Sequence, residues 1–220
     1  MPNDWECGLL IKIPKKGDTA NCDNWRGITL LSTPSKVFTR ILFNRIKEHV
    51  NHRRKEQAGF RPNRSCIDQI NTLRIIIEQC VEWSSRLYAV FVDFEKAFDS
   101  VNREAMWKEV KRYGVPKQIV DLIKETYRGY MCRVVHEDCV SEPFPVRARV
   151  RQGCILSPLM FLVAIDAVMR NVNRDRRRDI RWGLVDRLED LDFADDLCLL
   201  SEAHREMLAK LGDLKKKRER

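Results

Sequence analysis

Leu191-Asp192-Phe193-Ala194-Asp195-Asp196-Leu197-Cys198-Leu199-Leu200 reads as a strand, a tight turn and a strand, with two acids where the chain reverses. Like charges ~4 Å apart repel by roughly 1–4 kcal/mol, depending on the local dielectric. That is a large share of a domain stability of ~5–15 kcal/mol, and a bound cation would relieve it. An exposed turn is the alternative, since Asp is common there. Asp93 bears on the choice. It ends a second apolar run, Tyr88-Ala89-Val90-Phe91-Val92, which reads as a buried strand. Three acids delivered by two strands to the C-terminal end of one sheet suit hard divalent ions such as Mg²⁺. Two such ions ~3.5–4 Å apart serve in-line displacement at phosphorus. Asp190 and Asp192 read as exposed strand positions and Asp99 as a helix cap; none is given a role.

Outward from these strands, helices and strands mix without strict alternation, which favours an α+β class. Leu9 to Ile13 reads as a strand ended by Pro14, with a return over Trp25–Leu31. Thr33 caps a helix whose apolar positions are Val37, Phe38, Ile41, Leu42 and Ile46. Ser65 and Asp68 form a capping-box pair ahead of a helix with Ile67, Ile70, Leu73, Ile77 and Cys80 on its apolar face. Further helices are expected over 103–112, from Pro116 to about Tyr130, and from Ser157, with Pro158 at the first helical position. Arg133 to His136 and Phe144 to Val150 read as strands, Asn173 to Arg181 as a charged loop, and the stretch after Glu202 as a helix.

The 220 residues include 41 Lys plus Arg against 32 Asp plus Glu, a net charge of +9 that suits a polyanionic partner. Eight cysteines without a C-x-x-C pair read as reduced, buried thiols, not as a disulfide frame or zinc site. Residues 1–17 hold no apolar run of signal-peptide kind, and no stretch approaches the ~20 apolar residues of a membrane span. An intracellular protein, nuclear or cytoplasmic, is expected.

Several blocks then resemble one family. Asp93-Phe94-Glu95-Lys96-Ala97-Phe98-Asp99-Ser100-Val101 is similar to the first catalytic motif of the reverse transcriptases of non-LTR, long-interspersed-type retrotransposons. Arg151-Gln152-Gly153-Cys154-Ile155-Leu156-Ser157-Pro158-Leu159 resembles their next motif, and Phe193-Ala194-Asp195-Asp196 their acid pair. Ile13 to Asp18 with Asn24 to Leu31, and Gln57-Ala58-Gly59-Phe60-Arg61, resemble two fingers segments.

The resemblance implies a right-hand polymerase: fingers with the first helices over 1–86, and palm over 87–220 with a ferredoxin-like antiparallel sheet, the thumb absent. It implies an RNA-directed DNA polymerase using two Mg²⁺ ions (Mn²⁺ in their place), an RNA template, a DNA primer and a deoxynucleoside triphosphate. Asp93 and Asp195 would be the main metal ligands, Asp196 the supporting acid, and Phe94 the donor of a backbone carbonyl. Lys15, Lys16 and Arg26 would grip the triphosphate. Phe98 would exclude a 2′-hydroxyl, and Gln152 and Gly153 would lie against the nascent base pair. Gly59, Phe60 and Arg61 would touch the template. A second reading stays open: a catalytically inactive, truncated remnant that at most binds nucleic acid.

Overall fold

The computed structural model describes residues 2, 5–51, 56–94, 98, 101–137, 139–146, 150–151, 153–172, 179–182 and 186–218. In chain order these form β1 (Cys7–Pro14), β2 (Trp25–Leu30), α1 (Thr33–Asn51), α2 (Cys66–Glu82), β3 (Tyr88–Val92), α3 (Arg103–Arg112), α4 (Lys117–Tyr127), β4 (Met131–His136), β5 (Cys139–Val140) and β6 (Phe144–Pro145). There follow α5 (Ser157–Val172), β7 (Ile180–Trp182), β8 (Asp186–Leu188), β9 (Asp190–Phe193), β10 (Asp196–Ser201) and α6 (His204–Arg218). The mixture of helices and largely antiparallel sheets is the α+β class expected. Two compact units emerge, each drawn from two stretches of chain: Met1–Val50 with Phe98–Val163, and Asn51–Ala97 with Ala164–Arg220.

In the first unit, Pro14 ends β1 and the chain returns as β2, paired antiparallel from Leu9↔Leu30 to Pro14↔Trp25. β4 adds to the other edge of β1 in parallel, Cys7↔Met131 to Ile11↔Val135, and carries the short strands β5 and β6. The core beside it is helical. Leu42 and Ile46 of α1, Met106, Trp107 and Val110 of α3, Val120 and Ile123 of α4, and Leu159, Met160 and Val163 of α5 share one buried cluster. Asn102 caps α3 by accepting from Ala105 N at 3.1 Å.

The second unit is built on the antiparallel sheet β3-β10-β9. Ile76 of α2 packs with Ile180, Leu191, Cys198 and Leu200 in its core. Ser65 and Asp68 form the full capping box that starts α2, as expected. From α6, the fully buried Lys210 donates its Nζ to Glu189 O at 2.9 Å and Leu200 O at 2.7 Å. Those charge-assisted bonds offset the desolvation of a buried ammonium.

Several expectations need correction. β3 is not buried on both faces: it is an edge strand, and Phe91 is 72% exposed. Of the expected α2 face Leu73 and Cys80 pack against the core, but the fully buried residue of the helix is Ile76, 1% exposed, whereas Ile67, Ile70 and Ile77 are exposed. Of the expected apolar positions in α1, Leu42 and Ile46 are buried and Phe38 packs beside them, while Val37 and Ile41 are exposed. α4 stops at Tyr127, and β6 stops at Pro145, with residues 147–149 outside the described residues. Ser157 is the first residue of α5, and its hydroxyl donates to Arg151 O at 2.6 Å. Part of the charged loop is the strand β7, paired with β8. All eight cysteines are free, but only Cys132, Cys154 and Cys198 are buried.

Candidate active site

The acidic turn is a two-residue hairpin. β9 and β10 pair from Leu199↔Asp190 to Asp196↔Phe193, leaving Ala194 and Asp195 as the reversal. Ala194 has φ +58° whereas Asp195 is not in the left-handed region. A positive φ at the first turn position only is the type II′ pattern, which matches strand twist and normally takes glycine there.

β10 also pairs with β3, from Ser201↔Tyr88 to Leu197↔Val92. One further step of that register sets Asp196 level with Asp93, and residues directly opposite share a face of the sheet. The carboxyl of Asp196 is raised from its ordinary value, first by burial and then by the charges of Asp195 and Asp93. Thus Asp195 and Asp196, 102 and 103 positions beyond Asp93 in sequence, come to the same end of the sheet as Asp93, with Asp196 within electrostatic reach of both. Phe94 follows Asp93 and is half-buried. Among the described residues no group of three or more His, Cys, Asp or Glu side chains is placed so that it could hold a metal ion. The donor type nonetheless suits a hard divalent ion: three carboxylates at one end of the sheet, of which Asp196 is raised by burial and by the charges of the other two. Mg²⁺ keeps several waters and asks for few protein ligands.

Asp190 and Asp192 of β9 are fully buried, contrary to the expectation of exposed strand positions. They contribute to lifting the Cys198 thiol, which burial pushes up to about 11. Beside Asp192 lie residues 56–58, which run parallel to β9. Gln57 bridges Asp192, and Ala58 N donates to Asp192 O at 2.9 Å. From α2, Gln69 Nε2 donates to both Glu56 O and Asp192 O. Gly59 is buried against the turn, where a Cβ would collide with the Ala194 backbone. Phe60 is exposed with φ +54°, and Arg61 donates to Gln57 O at 3.2 Å.

The other expected site residues lie in the first unit. Lys15, Lys16 and Arg26 are exposed around the β1–β2 hairpin, Arg26 opposite Ile13. The hairpin tip is organised: Lys15 N donates to Asn24 O at 2.7 Å, Lys15 Nζ to Asp23 O at 3.1 Å, and Asn24 Nδ2 to Asp18 O at 2.7 Å. Phe98 stacks on Phe161 of α5 with centroids 4.4 Å apart. Gly153, at φ +101°, packs on the carbonyl of Thr29 in β2, the strand that carries Arg26. Gln152 lies outside the described residues.

Two residues were given no role from the sequence. Arg151 is 4% exposed, with its guanidinium 3.6 Å over the Tyr130 ring and 4.7 Å over that of Tyr127; burial lowers its pKa. Gln57 is also 4% exposed and bonds to the acidic turn. Neither leaves a local pattern, because the partners that set each one's place, Tyr127 and Tyr130 for Arg151 and Ala194 for Gln57, lie far along the chain.

Comparison with known proteins agrees with this architecture. The family model described as "Reverse transcriptase (RNA-dependent DNA polymerase)" matches residues 13–219. A Drosophila melanogaster relative, "Probable RNA-directed DNA polymerase from transposon BS", is 31% identical over 210 residues, covering 91% of this chain and 22% of that protein. Another from the same organism, "Retrovirus-related Pol polyprotein from type-2 retrotransposable element R2DM", is 26% identical over 202 residues, covering 92% and 19%. The chain therefore spans about a fifth of the length of these relatives. Among solved structures, apo telomerase from Candida tropicalis truncated from its C-terminal domain aligns with a TM-score of 0.67 at 14% identity, covering 96% of this chain and 46% of that one. Candida albicans telomerase, solved with a fragment of telomeric RNA, aligns with a TM-score of 0.64 at 10% identity, covering 97% and 40%. At such identities the likeness shows the fold alone. No helix among the described residues is long and apolar enough to cross a membrane.

Proposed function

Since the chain belongs to the reverse transcriptase (RNA-dependent DNA polymerase) family, in its non-LTR retrotransposon branch, we propose that it performs nucleotidyl transfer: a primer 3′-hydroxyl attacks the α-phosphate of a deoxynucleoside triphosphate and pyrophosphate leaves. The observation that carries this reading is the convergence of Asp93, Asp195 and Asp196 at one end of the β3-β10-β9 sheet, where burial and then the charges of the first two raise the carboxyl of the third. Asp93 and Asp195 would hold two divalent cations, with Asp196 in support and Phe94 offering its backbone carbonyl. Bound there, Mg²⁺ or Mn²⁺ would lower the pKa of the attacking hydroxyl and neutralise charge on the phosphates. Positioning and charge neutralisation do most of the work in such transfers.

The remaining roles follow the same reading. Lys15, Lys16 and Arg26 bind the triphosphate, supported by their exposure on a hairpin whose tip is held by its own hydrogen bonds. Phe98 excludes the 2′-hydroxyl, supported by the stacking on Phe161 that restricts its ring. Gln152 and Gly153 lie against the base pair, and Gly59, Phe60 and Arg61 line the template path. RNA template and DNA primer are the partners, in keeping with the +9 charge. Residues 1–86 act as fingers and 87–220 as palm, with β3, β9 and β10 as the ferredoxin-like palm sheet.

Primer extension on an RNA template with Mg²⁺ tests the reading. Asp93→Asn removes extension, while Asp121→Asn on the exposed side of α4 leaves it intact. Equal product from wild type and Asp93→Asn would sink the assignment. Salt-dependent RNA binding with no extension under Mg²⁺ or Mn²⁺ would establish the binding remnant in its place.

A further inference from the structure

We propose that Gln57 is a positioning residue of the acidic turn, holding the peptide groups on both sides of Ala194 so that Asp195 and Asp196 are presented in one fixed conformation. This rests on the reading of Asp93, Asp195 and Asp196 as the cation-binding set.

The geometry is that of a bracket. Gln57 Oε1 accepts from Ala194 N at 2.7 Å, and Gln57 Nε2 donates to Ala194 O at 3.1 Å. Ala194 N and Ala194 O belong to the two successive peptide planes that flank one Cα. Fixing both planes fixes φ and ψ of Ala194, because the planes themselves are rigid. The carbonyl of Ala194 shares its plane with Asp195 N, so the same bond orients the chain entering Asp195. The amide has one sense only. Oε1 also accepts from Gly59 N at 2.7 Å, and the flipped amide would face two N–H donors with its own NH₂.

A turn of this kind needs holding. Alanine at φ +58° sits where an L side chain is disfavoured, and no glycine relieves it. Strain of this sort persists where the surroundings over-determine the conformation. Here the surroundings are the Gln57 amide, the Cβ-less face of Gly59 against Ala194, and the 56–58 segment that the bridge to Asp192 anchors beside β9. Gln57 is itself buried, 4% exposed, so its amide is held away from competing water. The bonds join residues 137 apart in sequence.

The test uses the full chain and Mn²⁺ itself as probe, with affinity read from the free-ion EPR signal. Hydrogen exchange at the Ala194 and Gly59 amides is read in parallel. Gln57→Ala is expected to weaken Mn²⁺ binding about tenfold, the range seen when a partner that orients a metal ligand is lost. Both amides lose their acceptor and exchange faster. In primer extension, kcat falls while KM for the nucleotide holds, because no nucleotide contact is touched. Adding Ala194→Gly to Gln57→Ala is expected to recover much of the lost affinity, since glycine needs no bracket to hold a type II′ turn. Leu73→Ala, a packing change in the same unit, lowers the melting temperature without these changes. Wild-type Mn²⁺ affinity in Gln57→Ala, or a deficit that Ala194→Gly does not relieve, overturns the proposal. If Asp93→Asn abolishes binding while Gln57→Ala does not alter it, the role of Gln57 alone falls. Should wild type bind no Mn²⁺, or Asp93→Asn bind as wild type does, the carboxylate reading falls and takes the bracket with it.

Discussion

Ile76 and Ile77 are adjacent, chemically identical and on the same helix, yet their truncation has very different expected consequences. Ile76 is 1% exposed and packs into the cluster with Ile180, Leu191, Cys198 and Leu200, against the sheet that carries the acids. Ile77 is 48% exposed. Removing three carbons from a closed site loses their transfer free energy and leaves a cavity, so Ile76→Ala should destabilise by about 3–4 kcal/mol. Half of the Ile77 side chain is already in water, and alanine is the better helix former, so Ile77→Ala should change stability by less than about 1 kcal/mol. At ~2–4 °C per kcal/mol for a chain of this size, the first variant should melt about 6–16 °C lower and the second within a few degrees of wild type. Thermal and urea unfolding followed by circular dichroism read both. Equal losses, or the larger loss at Ile77, would mean that α2 buries the other face and that the packing described for the second unit is wrong.

Other consequences can be checked separately. Glu189 is pushed up to about 7 by burial, with Asp190, Asp179 and Glu56 adding and Lys210 opposing. A raised carboxyl holds its proton more tightly in the folded state, so this group's contribution is full below the unfolded value of 4.5 and is lost as pH rises to about 7. Solvent screening of a half-buried group reduces that contribution to about 1–2 kcal/mol. Melting temperature should fall from pH 5 to 7, and Glu189→Gln should flatten the slope. Gly153→Ala places a Cβ on the Thr29 carbonyl at φ +101°, and the backbone strain alone should destabilise by roughly 1–3 kcal/mol in urea unfolding. Ser65→Ala removes the acceptor of Asp68 N and should lower stability by about 1 kcal/mol, a loss that Ser65→Asp, which restores an acceptor, should largely recover.

Much of the architecture was legible where local chemistry decides conformation. The β1–β2 hairpin, the capping box at Ser65, the ends of α3 and the strand-turn-strand around Asp195 follow from short-range rules: alternation, caps, turn residues. The helix faces were legible only in part. In α1 and α2 isoleucine and valine occur on more than one side, so the apolar pattern alone does not choose which side meets the core. β3 had the composition of a central strand and proved to be an edge, because a strand's position in a sheet depends on partners that its own residues do not name.

The site divides along the same line. By itself the sequence determined which acids were candidates and that each ends an apolar strand, since both facts are local. Only the tertiary structure decided that the register of β10 on β3 sets Asp196 level with Asp93, that Asp190 and Asp192 are buried, and that the 56–58 segment lies beside Asp192. It also decided that an amide 137 residues away grips the turn. Hydrogen bonds and charges act through a few ångströms of space whatever the separation in sequence. A residue's type can therefore suggest a role, but only the fold supplies the neighbour that gives it one.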